Sequence, residues 1–352
     1  VTLSQSGPVA IDIPRVEATF TSTLGGAKPA NVSTAGDDQA SDTLPTLLFE
    51  GASGDTFVVP TMRYTAGSTN SNWTAEQAST TLWLVPGTYT VRYRASSFAE
   101  FASANWPVNQ RAELKAVALS QSGPVAIDIP RVEVTFTTTL GGSKPANVKT
   151  AGDDQASDTL PTLLCEGAAG DTFVVPTMRY TASSTNSNWT AEPASTTLWL
   201  VPGTYALRYR ASSFAEFAAA NWPVNQRAAL KSLTLASSGP VVIDVPRVSV
   251  TFATTLAGAT PAQVSTAGDD QASDTLPTLL FEGAAGDTFV IPTMRYTASS
   301  TNSNWTAEPA SKTLWLVPGT YSVRYRASSF AEFVSAKWPI NQRAELGCAY
   351  LP

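Results

Sequence analysis

The stretch LWLVPGTYTVRYR, residues 82–94, decides the fold. Apolar Trp and Leu residues run into a Pro-Gly turn, after which Tyr89, Val91 and Tyr93 alternate with polar residues. An alternation with a period of two is typical of a strand that buries one face. The stretch therefore predicts a hairpin of strand, tight turn and strand, with those three side chains in the core. It recurs as LWLVPGTYALRYR at 198–210 and LWLVPGTYSVRYR at 314–326.

The whole chain of 352 residues repeats with the spacing of these copies. Trp106, Trp222 and Trp338 follow one another at intervals of 116 residues, and no insertion breaks the register. A period of 116 residues is far longer than a solenoid repeat and matches a domain with its own core. We therefore expect three tandem domains, at 5–120, 121–236 and 237–352. Residues 1–4 align with the end of the first repeat and are expected to be a remnant or donor strand of a preceding one.

Within one repeat almost every segment predicts a strand. Val16, Ala18 and Phe20 alternate on one face, and further apolar segments are separated by Gly, Ser and Pro. Residues 96–106 fit either a short helix or a packed loop. About seven short strands without a long helix indicate an antiparallel β-sandwich. The predicted fold class is all-β, with three tandem antiparallel sandwiches of approximately seven strands arranged as a rod.

Composition excludes several classes of function. The chain has no histidine, which removes Ser-His-Asp and Cys-His catalysis and His-ligated metals. Its net charge of −6 argues against a nucleic-acid partner, which would need a basic face. No apolar run approaches the roughly 20 residues that cross a bilayer, so membrane insertion is not expected. The low charged fraction of 14% favours an extracellular protein.

A family resemblance rests on three motifs: IDIP at 11–14, LVPGTYTVRYR at 84–94 and WPVN at 106–109. Together they resemble bacterial surface and secreted repeat domains of the transthyretin-like, carboxypeptidase-regulatory-like group, which is related to Cna-B stalk domains. The resemblance implies a seven-stranded sandwich used in extracellular arrays and without catalytic activity. One departure is clear: no lysine occupies the same position in all three repeats, so an isopeptide bond in every domain is excluded.

Two kinds of loop are candidate sites. An acidic loop is a candidate calcium site, although its D-D-x-x-x-D spacing differs from known calcium loops and turn-capping aspartates explain it better. A tryptophan in each polar TNSNWTAE loop is a candidate for stacking on a sugar, although a side chain that pins the loop to the sandwich explains it better. The acidic candidates are Asp37, Asp38, Asp42, Asp153, Asp154, Asp158, Asp269, Asp270 and Asp274, and the tryptophans are Trp73, Trp189 and Trp305.

The two cysteines, Cys165 and Cys348, lie at unrelated positions of the repeat and are not expected to pair. Cys165 aligns with Phe49 and Phe281, so it is expected to replace a core aromatic residue in the middle domain.

The sequence predicts a non-catalytic structural or interaction protein of a bacterial cell-surface or extracellular array. Its expected partners are other copies of itself or neighbouring repeats of a longer chain. Val1, Thr2 and Leu3 are a candidate assembly strand that extends a sheet of another molecule, giving head-to-tail fibres. The alternative is a multivalent carbohydrate-binding protein that uses the loop tryptophans. An enzyme is the least favoured class, because it would need a carboxylate pair acting alone.

Overall fold

The structure, a computed structural model, describes residues 11–35, 44–65, 72–151, 160–181, 188–267, 276–297 and 304–351. They form three β-rich units. Unit 1 contains β1 (Val16–Leu24), β2 (Val32–Ala35), β3 (Thr46–Gly51), β4 (Thr56–Pro60), β5 (Met62–Tyr64), β6 (Asn72–Gln77), β7 (Ser79–Leu84), β8 (Gly87–Arg94), α1 (Ala99–Ser103), β9 (Ala112–Leu119) and β10 (Gly123–Ile129). Unit 2 contains β11 (Val132–Leu140), β12 (Val148–Ala151), β13 (Thr162–Glu166), β14 (Thr172–Pro176), β15 (Met178–Tyr180), β16 (Asn188–Pro193), β17 (Ser195–Leu200), β18 (Gly203–Arg210), α2 (Ala215–Ala219), β19 (Ala228–Leu235) and β20 (Gly239–Val245). Unit 3 contains β21 (Val248–Ala253), β22 (Val264–Ala267), β23 (Thr278–Glu282), β24 (Thr288–Pro292), β25 (Met294–Tyr296), β26 (Asn304–Pro309), β27 (Ser311–Leu316), β28 (Gly319–Arg326), α3 (Ala331–Ser335) and β29 (Ala344–Leu351).

Two principal sheets form the sandwich of unit 1. One has the strand order β4-β3-β8-β9 and the other has the order β10-β1-β7, so the principal sheets hold seven strands. A small third sheet has the order β2-β6-β5. All described pairs are antiparallel except β1 with β10, and β11 with β20 in unit 2, which are parallel. The predicted fold of tandem β-sandwiches is confirmed.

The core of unit 1 lies between the two principal sheets. Phe20 of β1 meets Phe49 of β3 edge to face, with ring centroids 5.1 Å apart. Phe49 stacks on Phe57 of β4 at 4.6 Å. Tyr89, Val91 and Tyr93 of β8 are all buried, as their alternation predicts. The strand faces were therefore assigned correctly from the sequence.

The predicted hairpin at 82–94 is wrong. β7 and β8 are the expected strands, but β7 pairs with β1 while β8 pairs with β3 and β9 in the other principal sheet. The Pro-Gly turn thus carries the chain from one sheet to the other, and Tyr89 secures it by donating its hydroxyl to the Val85 carbonyl at 2.8 Å. Alternation shows which face of a strand is buried and leaves its hydrogen-bonding neighbour undetermined.

Unit 2 compensates for a smaller side chain at the centre of its core. Cys165 is fully buried where the other units have Phe49 and Phe281, so the expected replacement of a core aromatic is confirmed. Leu207 lies in the same core, where units 1 and 3 have the smaller Val91 and Val323. This larger side chain offsets part of the lost volume, which helps to keep native packing density. Burial raises the pKa of the Cys165 thiol to about 12.

The sheets cross the boundaries drawn from the sequence. β10 and β20 fall in the second and third sequence repeats, yet they pair with β1 and β11 of the preceding unit. Ile127 and Ile129 of β10 have no exposed surface and belong to the core of unit 1. Unit 1 therefore extends to Ile129 and unit 2 to Val245, about ten residues beyond the positions that the repeat alignment marks.

Candidate functional site

The junction between unit 1 and unit 2 is the most elaborate polar arrangement in the described part of the chain. Its centre is Asn109, in the segment that follows α1, and its side chain is fully buried. The Asn109 amide nitrogen donates to Asp171 Oδ2 at 2.7 Å and to the Tyr205 hydroxyl at 3.0 Å. Its amide oxygen accepts from the Val201 backbone N–H at 2.7 Å. One side chain of unit 1 is thus bound by three groups of unit 2.

The local sequence explains why Asn109 projects out of its own unit. Trp106, three residues earlier, is buried in unit 1 against Phe101 and stacks on Tyr93. The Tyr93 hydroxyl donates to the carbonyl of Pro107 at 2.8 Å. The chain is therefore anchored immediately before Asn109, which leaves the polar residue to enter the neighbouring unit.

The acceptor side of the junction is a buried carboxylate. Asp171 is only 3% exposed, and its second oxygen accepts from the backbone N–H of Arg111 at 3.0 Å. Burial, and then the charge of Asp171, raise the pKa of Tyr205, so its hydroxyl stays protonated and donates to the Val201 carbonyl at 2.6 Å. Every polar group of this cluster has a partner, which is the condition for a buried polar network to stabilise a contact.

Backbone and cation–π contacts surround the cluster. The Val108 N–H donates to the Trp199 carbonyl at 3.0 Å, and the Gln110 N–H donates to the Thr172 carbonyl at 3.3 Å. Arg131 lies over the Trp199 ring at 4.6 Å and donates to the Asn105 carbonyl at 2.6 Å. Main-chain bonds of this kind do not depend on side-chain rotamers, so they fix one unit on the next.

The second junction repeats the first. Asn225 donates to Asp287 at 2.7 Å and to the Tyr321 hydroxyl at 2.9 Å, and it accepts from Val317 at 2.7 Å. Burial again raises the pKa of Tyr321. The same hydrogen bonds recur at both junctions, so the junction follows from the repeated sequence.

Sequence reasoning missed these residues. Asn109 is noted from the sequence only as part of the WPVN motif, and Asp171 is not among the candidate residues, although WPVNQR recurs unchanged at 106–111 and 222–227. A polar residue directly after a Trp-Pro pair is a usable signal, because the Trp fixes the backbone that presents it. The partner on the next unit lies 62 residues later and carries no local signal.

The loop tryptophans proposed as sugar platforms lie on strands of the small sheets. Trp73 is on β6, is half-buried and tilts against Tyr64 with ring centroids 6.0 Å apart. Trp189 and Trp305 repeat this contact with Tyr180 and Tyr296 at 5.9 Å. Their role in glycan binding stays a prediction.

The other predicted sites fall outside the described residues. These are the nine aspartates of the calcium prediction and the assembly strand of Val1, Thr2 and Leu3. Where the structure does describe the chain, no three His, Cys, Asp or Glu side chains come together as a metal would require. No helix in those residues has the length and apolar character needed to span a membrane.

The fold and junctions define a tandem β-sandwich protein. Comparison with known proteins adds little: no family model matches the chain, and no curated protein matches it. Among solved structures it is similar to the Bacillus anthracis TIE protein, with 10% identity, a TM-score of 0.20, and coverage of 96% of this chain and 48% of that one. It is also similar to the N-terminal four Ig domains of Dscam1 isoform 7.44, with 9% identity, a TM-score of 0.09 and coverage of 97% and 73%. The chain thus spans about half the length of the first of these.

Proposed function

We propose that the protein is a non-catalytic spacer of a bacterial cell-surface or extracellular array, in which each unit is held on the next at a set position. The observation that supports this function is the repeated junction, with Asn109 and Asn225 fully buried in the following unit. Domains joined by a flexible linker need no such contacts, because they move relative to one another by default. A buried and fully paired polar cluster at each joint opposes that motion.

The junction contacts suit a chain that carries load or sets a distance. Removing one partner of a buried hydrogen bond costs about 1–3 kcal/mol, and each junction holds several such bonds. Opening it would also expose Val201, which is 2% exposed at the junction, whereas its counterpart Val85 on the uncovered face of unit 1 is 50% exposed. The loss of buried hydrogen bonds and the exposure of apolar surface would thus both raise the free energy of a bent junction. The repeat of near-identical units adds reach without requiring a new kind of contact.

Distance measurement between spin labels tests this function. Labels are placed at Arg94→Cys and Arg210→Cys, which are exposed and equivalent positions of units 1 and 2, in a Cys348→Ser background. Cys165 is buried and is not expected to react. We expect one narrow distance distribution for this chain and a broad one after Asn109→Ala. A broad distribution before that substitution would contradict the proposal.

The matched control is Asn341→Ala. Asn341 occupies the equivalent position in unit 3 and is exposed, so the same substitution there should leave the distance between units 1 and 2 unchanged.

A further inference from the structure

We propose that the parallel pair of β1 and β10 is a mechanical clamp, which carries tension applied along the chain from one end of unit 1 to the other. The inference rests on the proposed spacer function and says how such a spacer withstands tension. Within the described residues β1 is the first strand of unit 1 and β10 is the last. In unit 2, β11 and β20 occupy the same places and are parallel in the same way.

The direction of the two strands decides how tension acts on them. Ala18 of β1 is opposite Gly123 of β10. At the other end of the pair Leu24 is opposite Ile129, so both strands run in the same direction. Tension enters β1 at its first residue, Val16, and leaves β10 after its last residue, Ile129. Because these two points lie at opposite ends of the pair, the strands are pulled past each other lengthwise, and the hydrogen bonds between them must break together.

An antiparallel pair in the same place would respond differently. Tension would then enter one strand and leave the other at the same end, so that the hydrogen bonds would break one after another. The parallel pair also affects the rest of unit 1. Residues 25–122 lie between the two strands along the chain, and they carry no tension while the pair holds, because force passes directly from β1 to β10. Forced unfolding of the unit therefore waits for the clamp to break.

Side-chain bonds reinforce the end of the clamp where tension leaves. Asp128 of β10 accepts from the Thr23 hydroxyl at 2.6 Å and from the Gly26 N–H at 2.7 Å. The Gly25 N–H donates to the Ile129 carbonyl at 2.9 Å. Hydrogen bonds to an ionised carboxylate are stronger than those between neutral groups. This end of the pair is thus held by more than its main-chain ladder.

The other end and the buried face of β10 also oppose sliding. The Glu17 N–H donates to the hydroxyl oxygen of Ser122, immediately before β10, at 2.9 Å. Ile127 and Ile129 have no exposed surface. A slip of one residue along a strand turns its buried side chains to the opposite face. Lengthwise movement of β10 would therefore remove both isoleucines from the core as well as break the hydrogen bonds.

Unit 2 contains the same clamp. Asp244 of β20 accepts from the Thr139 hydroxyl and from the Gly142 N–H, both at 2.7 Å. The Glu133 N–H donates to the hydroxyl oxygen of Ser238 at 2.9 Å. Only two residues separate the end of β10 from the start of β11. Tension that leaves the first clamp thus enters the second directly, and the two act in series.

Single-molecule force measurement with two attachment geometries tests the inference. Handles on Asp12→Cys and Glu133→Cys pull β1 and β10 from opposite ends, whereas handles on Lys28→Cys and Glu133→Cys pull them from the same end. The three positions are exposed; the background is Cys348→Ser, and Cys165 is buried. We expect a rupture force several times higher for the first pair of handles. That rupture should release about 400 Å in one step, the extended length of the residues between the handles.

A variant of the clamp adds a second measurement with the handles on Asp12→Cys and Glu133→Cys. Asp128→Ala removes the two side-chain bonds of the carboxylate. We expect the lifetime of unit 1 under constant force to fall about tenfold, the effect of losing roughly 1.4 kcal/mol of unfolding barrier. Asp128 is exposed, so the circular dichroism of the variant should match that of the parent chain.

The matched control is Asp244→Ala, which removes the same two bonds from unit 2, outside the handles, and should leave the lifetime of unit 1 unchanged. Equal rupture forces in the two geometries, or an Asp128→Ala lifetime equal to that of the parent chain, would overturn the inference. The spin-label distance between units 1 and 2 is measured without tension, so failure of the clamp is distinguishable from failure of the proposed spacer function.

Discussion

Units 1 and 3 have nearly the same sequence, and within the described residues they differ in one hydrogen-bonded strand. In unit 1, β10 covers β1, and the side chains of Ala18 and Phe20 are 1% exposed. In unit 3, the equivalent Val250 and Phe252 are half-buried, and their strand ends at Ala253. A single added strand thus decides whether the sandwich has one closed core. Each unit therefore needs the segment after its last antiparallel strand to close its core. The repeat alignment assigns that segment to the next repeat.

The largest expected effect comes from weakening that strand. Ile127→Ala should destabilise unit 1 by about 2–5 kcal/mol, because it leaves a cavity beneath a fully buried position. Unit 1 should then behave like unit 3. Hydrogen exchange followed by mass spectrometry measures this directly, as faster exchange of the β1 and β8 amides.

The control for this variant is Ile11→Ala. The residue type and its neighbours in sequence are the same, but Ile11 is 72% exposed. We expect a change within about 0.5 kcal/mol, as for most surface substitutions. Equal effects of the two substitutions would show that β10 does not complete unit 1.

A smaller effect is expected from removing the carboxylate at the junction. Asp171→Ala removes one of the two acceptors of the buried Asn109 amide and the side-chain acceptor of the Arg111 N–H, which should cost about 1–3 kcal/mol. The loss should appear as faster exchange of the Val201 amide, which donates to Asn109. Asp55→Ala removes the same carboxylate from unit 1, where it is exposed, and should leave exchange unchanged. If both variants behave alike, the cluster does not hold the units together.

The sequence predicts most of the fold because strand faces follow from local alternation. Val16, Ala18 and Phe20, and then Tyr89, Val91 and Tyr93, are buried as expected. Pairing is a different kind of information, since it is decided by contacts between segments distant in the chain. The hairpin expected at 82–94 failed for this reason.

The candidate site was missed for the same physical reason. Apolar and polar residues alternate along 123–129, and this pattern is compatible with pairing to unit 2 or to unit 1. Only the strand pairing in the structure shows that the segment joins unit 1. Asn109 likewise carries no local mark of its partner, because Asp171 lies in another unit. The loop tryptophans and aspartates were candidates because such side chains can stack on sugars or bind calcium. The side chains of the junction have no such distinctive signal in the sequence.

The smallest expected effect concerns pH and the ion pairs that flank the first junction. Glu50 of β3 accepts from Arg92 Nε at 2.5 Å and from the Arg111 guanidinium, and these bonds hold the pKa of the carboxyl below its ordinary value. Arg111 also donates its backbone N–H to Asp171, so it joins Glu50 to the neighbouring unit. A carboxylate whose pKa is lowered by folding stabilises the protein above its unfolded pKa, and that contribution disappears as pH falls through the folded value.

Unit 1 should therefore lose stability on acidification from about pH 5 to pH 3, and Glu50→Gln should reduce the slope of that loss. We expect less than about 1 kcal/mol, because Arg111 is 47% exposed and solvent screens the pair. Exchange of the β3 and β8 amides at several pH values, corrected for the intrinsic rate, measures the slope. Glu17→Gln removes an exposed carboxylate of the same unit and serves as the control for the loss of charge alone. If Glu50→Gln leaves the dependence of stability on pH unchanged, the ion pairs of Glu50 with Arg92 and Arg111 do not stabilise unit 1.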